Sequence, residues 1–215
     1  MAISEQFLSD VMGEIVATNV SLEDYMENYA ANHCEWIEGV VIRVSPGELK
    51  HNNLIYFLYQ LLTSYFELSP IGRVIGQPFV MRLAAFPKRR REPDLLVVLN
   101  TNPHNLNNTF LDGPADICIE IVSEDSVDRD HGDKFKEYEK GGVPEYWIID
   151  PIHKETRFHR LTEEGRYNRQ AEGADGNYRT PALPGLVLHV PTLWKDELPG
   201  PGATSAAVKA MLDNQ

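Results

Sequence analysis

Asp94, Glu120 and Lys134 are residues of the types needed to hydrolyse a phosphodiester, and they fall in the order strand, strand, helix. That reaction needs a water made nucleophilic and a phosphate whose charge is neutralised, and a divalent cation held by carboxylates can supply both. A hard cation such as Mg²⁺, which Mn²⁺ can replace, takes oxygen donors and keeps several waters. Asp94, Glu120 and a backbone carbonyl, that of Ile121, would suffice to hold it. An ammonium nearby would position the attacking water, stabilise hydroxide or meet the phosphate.

The elements that must carry these groups can be read from periodicity. Pro93-Asp94 opens the apolar run Leu95 to Leu99, a strand that begins beside an acid. In Asp116 to Val122, alternation sets Ile117, Ile119 and Ile121 on one face and Asp116, Cys118 and Glu120 on the other. A helix is expected from about 127 to 140, stopped by Gly141-Gly142 and Pro144, with a strand over 145–150 beyond it. Upstream, Ser21-Leu-Glu-Asp reads as a helix cap opening a helix to about residue 30, and strands over 34–38 and 40–44 meet at Gly39. Leu54, Phe57, Leu58, Leu61, Leu62 and Tyr65 recur at helical spacing, so 48–68 reads as an amphipathic helix, with Glu48 and His51 near its start. Further strands are expected over 73–76 and 79–83, a loop over 101–114, and a hairpin pairing 156–161 with 167–171.

Length and composition fit one medium domain: residues 21–194 as the core, 1–20 as an N-terminal extension and 195–215 as a peripheral, weakly helical tail. No apolar run approaches a membrane span, so no membrane partner is expected. The first ten residues lack the basic and apolar segments of a secretory signal, which suggests a cytoplasmic address. Cys34 and Cys118 read as reduced structural thiols. The net charge of −12 argues against a general nucleic-acid coat protein. However, Arg82, Lys88, Arg89, Arg90 and Arg91 form an acid-free run just before Asp94, and Lys88 to Arg91 are candidate DNA contacts; the competing reading is a solvated loop. No P-loop, dinucleotide-binding or Gly-X-Ser-X-Gly pattern occurs, so no nucleotide cofactor is expected.

The order Pro93-Asp94, Glu120-Ile-Val-Ser123, Asp130, Lys134, Tyr138 and Gly142-Val-Pro-Glu-Tyr-Trp-Ile-Ile-Asp-Pro151 resembles the bacterial putative restriction endonuclease family, within the PD-(D/E)XK nuclease superfamily. The resemblance covers about residues 20–192. It implies an α/β fold, α+β by some schemes: a restriction-endonuclease-like mixed central sheet flanked by helices, here with an extra N-terminal helix and strand pair. It also implies a Mg²⁺-dependent endonuclease acting on DNA, with Asp94 and Glu120 as metal-binding acids. The superfamily lysine two residues after the second acid is absent, because Val122 stands there. Lys134 matches a lysine moved onto the following helix, where Asp130, Lys134 and Tyr138 at i, i+4 and i+8 share one face. Lys136 faces elsewhere. Superfamily members can add an acid or base near the metal, which makes His51 and Glu48 accessory candidates, with surface residence as the competing reading. Gln77 would either touch the site or lie at an edge. A homodimer would allow both strands of a duplex to be cut. The alternative is a non-catalytic module that keeps the nuclease fold for nucleic-acid binding or dimerisation.

Overall fold

The computed structural model describes residues 14–43, 49–123 and 129–213; Glu48 and the expected helix start at Val127 lie outside them. Strand β1 (Glu14–Ala17) leads into helix α1 (Leu22–Asn28), where the Ser21 hydroxyl accepts from the Asp24 N–H at 3.1 Å and caps the first turn. Strands β2 (Cys34–Ile37) and β3 (Val40–Arg43) form a hairpin. Its turn holds Glu38 and Gly39 at φ of 52° and 93°, the positive values that a tight hairpin needs and that glycine adopts without strain. Helix α2 (Leu49–Leu68) buries Leu54, Phe57, Leu58, Leu61, Leu62 and Tyr65, the stripe its spacing predicts.

The chain continues through β4 (Gly72–Gly76), β5 (Val80–Arg82), β6 (Arg89–Arg90), β7 (Leu95–Leu99), β8 (Asn105–Leu106), β9 (Phe110–Asp112) and β10 (Ile117–Ile121). A π-helical turn (Arg129–Asp133) then runs into helix α3 (Lys134–Gly141). After it come β11 (Glu145–Asp150), β12 (Glu155–Leu161), β13 (Tyr167–Gln170), the short pair β14 (Asn177–Tyr178) and β15 (Leu188–His189), and helix α4 (Pro201–Asp213). Six strands make the central mixed sheet in the order β13-β12-β11-β10-β7-β4. Its one parallel pair is β10 with β11, and α3 lies in the crossover such a pair requires. The protein is therefore a mixed α/β structure with a central sheet flanked by helices, as expected.

Both faces of that sheet are covered. Leu95, Val97, Ile117, Ile119 and Ile121 pack with α2 and with Leu183, Leu193 and Val208 of the C-terminal segment. Leu96, Val98, Cys118 and Val122 pack on the other side with Tyr138 of α3 and with Met81 and Leu111. Burial on both faces explains why β7 and β11 read as near-continuous apolar runs. Cys34 and Cys118 are free and buried. Among the described residues no helix is long and apolar enough to cross a membrane.

Four expectations differ from the structure. The Asn-rich loop over 101–114 contains β8 and β9, which pair with each other, and β9 also pairs with β5, in a separate three-stranded sheet. The basic run contributes β6, which pairs with β2. The C-terminal segment, expected as a peripheral tail, folds as α4 with Val208 fully buried in the α2 core and Ser205 Oγ 2.8 Å from Ser64 Oγ. Of the helix expected over 127–140, Arg129–Asp133 is a π-helical turn and the α-helix begins at Lys134; the Asp130 carbonyl accepts from the Tyr146 hydroxyl at 3.0 Å, an outside donor that favours the wider turn.

The Gly-Val-Pro-Glu-Tyr-Trp string has a structural logic. Gly142, at φ 80°, closes α3 with its N–H directed to the Glu139 and Tyr138 carbonyls. Glu145 is buried at the start of β11 and accepts from Trp147 Nε1 (3.0 Å), Arg160 Nε (3.2 Å), the Tyr178 hydroxyl (3.3 Å) and the Thr180 hydroxyl. One carboxylate thus pins the segment around 178–180 to the sheet. His159 is buried on the opposite side of β12, among Phe135, Tyr146 and Tyr167. Burial lowers its pKa to about 4, assisted by the positive charges of Arg169, Arg157 and His131 and opposed by Glu139.

Two outcomes are expected. Glu145→Ala leaves buried donors unmet, so urea unfolding should show a loss of about 3 kcal/mol. His159 is neutral when folded but binds a proton near pH 6.5 when unfolded, so its contribution is complete above that value and is lost as pH falls towards 4. In His159→Phe the stability lost between pH 7 and 4.5 should therefore be smaller than in wild type by about 2 kcal/mol, measured by denaturation at each pH.

Candidate active site

Asp94 stands at the entry to β7 and Glu120 near the exit of β10, and these strands are antiparallel neighbours. The pairing of Ile119 with Leu95, carried one residue further, sets Glu120 opposite Asp94 on the α3 side of the sheet. Asp94 is held on both oxygens: Oδ1 accepts from Gln77 Nε2 at 2.8 Å, and Oδ2 accepts from the Ile121 N–H at 2.7 Å. Gln77, read from sequence as either a site or an edge residue, also donates to the Glu92 carbonyl at 3.1 Å. His51 projects from the first turn of α2 and brings Nε2 to 3.5 Å from Asp94 Oδ2. Burial works against its protonation, but the hydrogen bond and charge of Asp94 prevail and raise its pKa.

Glu120 is almost fully enclosed. Its Oε1 accepts from the Tyr138 hydroxyl at 2.8 Å, and its Oε2 lies 2.9 Å from Lys134 Nζ. Burial pushes its pKa up to about 8; Lys134 opposes the rise, while the negative charges of Asp130 and Asp94 add to it. Lys134 opens α3 with 3% of its surface exposed. Besides Glu120, its ammonium contacts Asp130 Oδ1 at 3.2 Å and Glu35 Oε1 at 3.7 Å. The i, i+4, i+8 face of Asp130, Lys134 and Tyr138 is therefore turned inward onto Glu120, and all three side chains are buried. Lys136 is exposed.

The basic run is not the solvent-exposed edge expected from sequence. Arg91 is buried, with Nη1 2.7 Å from Glu35 Oε2, while Nη2 and Nε fork onto Glu137 at 2.7 and 2.8 Å. Arg89 pairs with the same Glu137, and Arg90 donates to the Pro87 and Arg89 carbonyls while lying 5.9 Å from the Trp36 ring. Only Lys88 of the four is exposed. The reason is charge balance: Glu35, Glu92, Asp94, Glu120, Asp130 and Glu137 are all buried in one neighbourhood, and buried acids need cations. Even so, burial and the charge of Glu35 push Glu92 up to about 8, against the hydrogen bond from Tyr25 and the charge of Lys134.

Glu35 and Glu92 join the site without a sequence signal of the kind Asp94 and Glu120 carry. Glu35 lies in a short strand between Cys34 and Trp36 with no acid pair beside it, and only the strand's burial on both faces signals its role. Glu92 could have been found as the acid two residues before Asp94, on the same strand parity.

A family model described as "Uma2: Putative restriction endonuclease" matches residues 22–191. The chain is also similar in fold to the crystal structure of a putative nuclease belonging to DUF820 from Anabaena variabilis. That match has a TM-score of 0.66 at 19% identity and covers 81% of this chain and 97% of the other. Comparison with curated proteins returned no match. With most of its length matched by the family model, this chain belongs to the putative restriction endonuclease family.

Proposed function

We propose that the protein is a metal-dependent endodeoxyribonuclease of the cytoplasm. The observation that carries this reading is the approach of Lys134 Nζ to within 2.9 Å of Glu120, from a different element, beside the strand end that bears Asp94. Asp94, Glu120 and the carbonyl of Ile121 would supply oxygen donors of the hard kind that Mg²⁺ or Mn²⁺ takes, and the buried acids Asp94, Glu120 and Asp130 on this side of the sheet support that reading. Bound there, the metal would supply water activation and neutralise phosphate charge.

The chain's own groups divide the remaining work. Gln77 and the Ile121 N–H fix the Asp94 carboxylate, so its orientation is set before substrate arrives. Tyr138 does the same for Glu120. Lys134 offers its ammonium to the attacking water or to a phosphate oxygen, in a low-dielectric pocket where one charge acts strongly. His51 borders Asp94, with 14% of its side chain exposed against 7% for Asp94, which makes the His51 side the more open approach. There it can accept the proton of the attacking water. A symmetric dimer would bring two such sites to the two strands of a duplex.

One observation favours a second reading, a non-catalytic module with the nuclease fold. The carboxylate oxygens of Asp94 and Glu120 already receive donors from the protein itself.

Incubation with duplex and single-stranded DNA plus Mg²⁺ or Mn²⁺ should give cleavage, and Asp94→Ala and Glu120→Ala should each lower it at least ~100-fold. Lys134→Met should cost roughly as much while leaving DNA affinity unchanged, because the ammonium acts mainly in the transition state. DNA left intact under every condition would sink the enzyme reading. Titration calorimetry with Mn²⁺ separates the two readings: the enzyme binds the ion and Asp94→Ala removes the heat, whereas a scaffold shows no Asp94-dependent binding.

A further inference from the structure

The Lys134 ammonium lies among carboxylates from three separate parts of the fold, at 2.9 Å from Glu120 on β10, 3.2 Å from Asp130 in the turn before α3, and 3.7 Å, as an ion pair, from Glu35 on the N-terminal hairpin. The first two approach from the central sheet and from the helix's own preceding turn. Glu35 comes from a different sheet and is itself fixed, because Arg91 binds its other oxygen at 2.7 Å. The same Arg91 forks onto Glu137, one turn beyond Lys134 on α3. A single guanidinium therefore sets the distance between the hairpin acid and the helix that carries the lysine.

We infer that Glu35 is a positioning residue, the third leg of a carboxylate tripod that holds the Lys134 ammonium in one place against Glu120. Two carboxylates alone leave a flexible four-carbon stem free to rotate about their line; a third direction removes that freedom. The N-terminal hairpin is on this account part of the functional apparatus of the proposed nuclease, on which the importance of the lysine rests.

The test uses the full chain and the isostere Glu35→Gln, which keeps the side chain's shape and an acceptor for Arg91 but presents no negative charge to Lys134. Lysines are acetylated with an N-hydroxysuccinimide ester, without metal or DNA, and the modification rate at each is read by mass spectrometry. Val208→Ala, a core truncation in α4, serves as the control for loss of stability. In Glu35→Gln, acetylation of Lys134 should be at least ~10-fold faster than in wild type, with the rates at exposed Lys136 and Lys140 unchanged and Val208→Ala close to wild type at Lys134. Where wild type cleaves DNA, the same substitution should lower kcat roughly tenfold with little change in KM. A Lys134 as protected in Glu35→Gln as in wild type overturns the inference, and so does equal exposure in a Val208→Ala protein of matched stability. A wild type that cleaves no DNA defeats the nuclease reading, and the acetylation rates still decide the role of Glu35.

Discussion

The structure turns on one problem of charge: several carboxylates are buried together, and few cations are available to answer them. Water cannot screen these groups, so each acid must be met by a hydrogen bond, a cation or a proton. Arg91 answers two acids, Lys134 contacts three, and Glu92, its pKa raised by burial and by the charge of Glu35, is met by the Tyr25 hydroxyl. The hairpin, the sheet and α3 contribute to this network, which makes it as much a joint between elements as a site. A joint of this kind adds little net stability, since desolvation offsets much of the attraction, but removing one partner is costly. Its value lies in fixing where each element must stand.

Much of the frame was legible in the sequence. The helical stripe from Leu54 to Tyr65 and the alternation from Ile117 to Ile121 are period signals, and each appears on the face its spacing dictates. The inward-facing row of Asp130, Lys134 and Tyr138 could be placed because helical geometry leaves one choice once Glu120 is opposite. What could not be read were pairings between distant, short segments. Phe110–Asp112 is too short to announce itself as a strand; it pairs on one side with the two-residue β8 and on the other with β5, far away in sequence. The same holds for the C-terminal helix: its small residues form a weak apolar face, and only the partner surface of α2 makes it a core element.

The basic run shows the limit most clearly. From sequence, Lys88 to Arg91 lie next to an acid and look like a contact surface for a polyanion. In the fold, strand pairing with β2 turns Arg91 inward, where its planar fork matches two carboxylates at once, a geometry a lysine could not supply. Sequence proximity to a site and orientation towards solvent are separate properties, and the first carries little information about the second.

The tripod around Lys134 spans the chain: Glu35 comes from its first quarter, Glu120 and Lys134 from beyond its midpoint. Contacts so far apart in sequence close late, after loop entropy has been overcome. During synthesis, a chain that has emerged only as far as β10 carries both acids without the ammonium. The charged centre would then be complete only once the crossover helix has docked, so the molecule acquires its chemistry together with its fold.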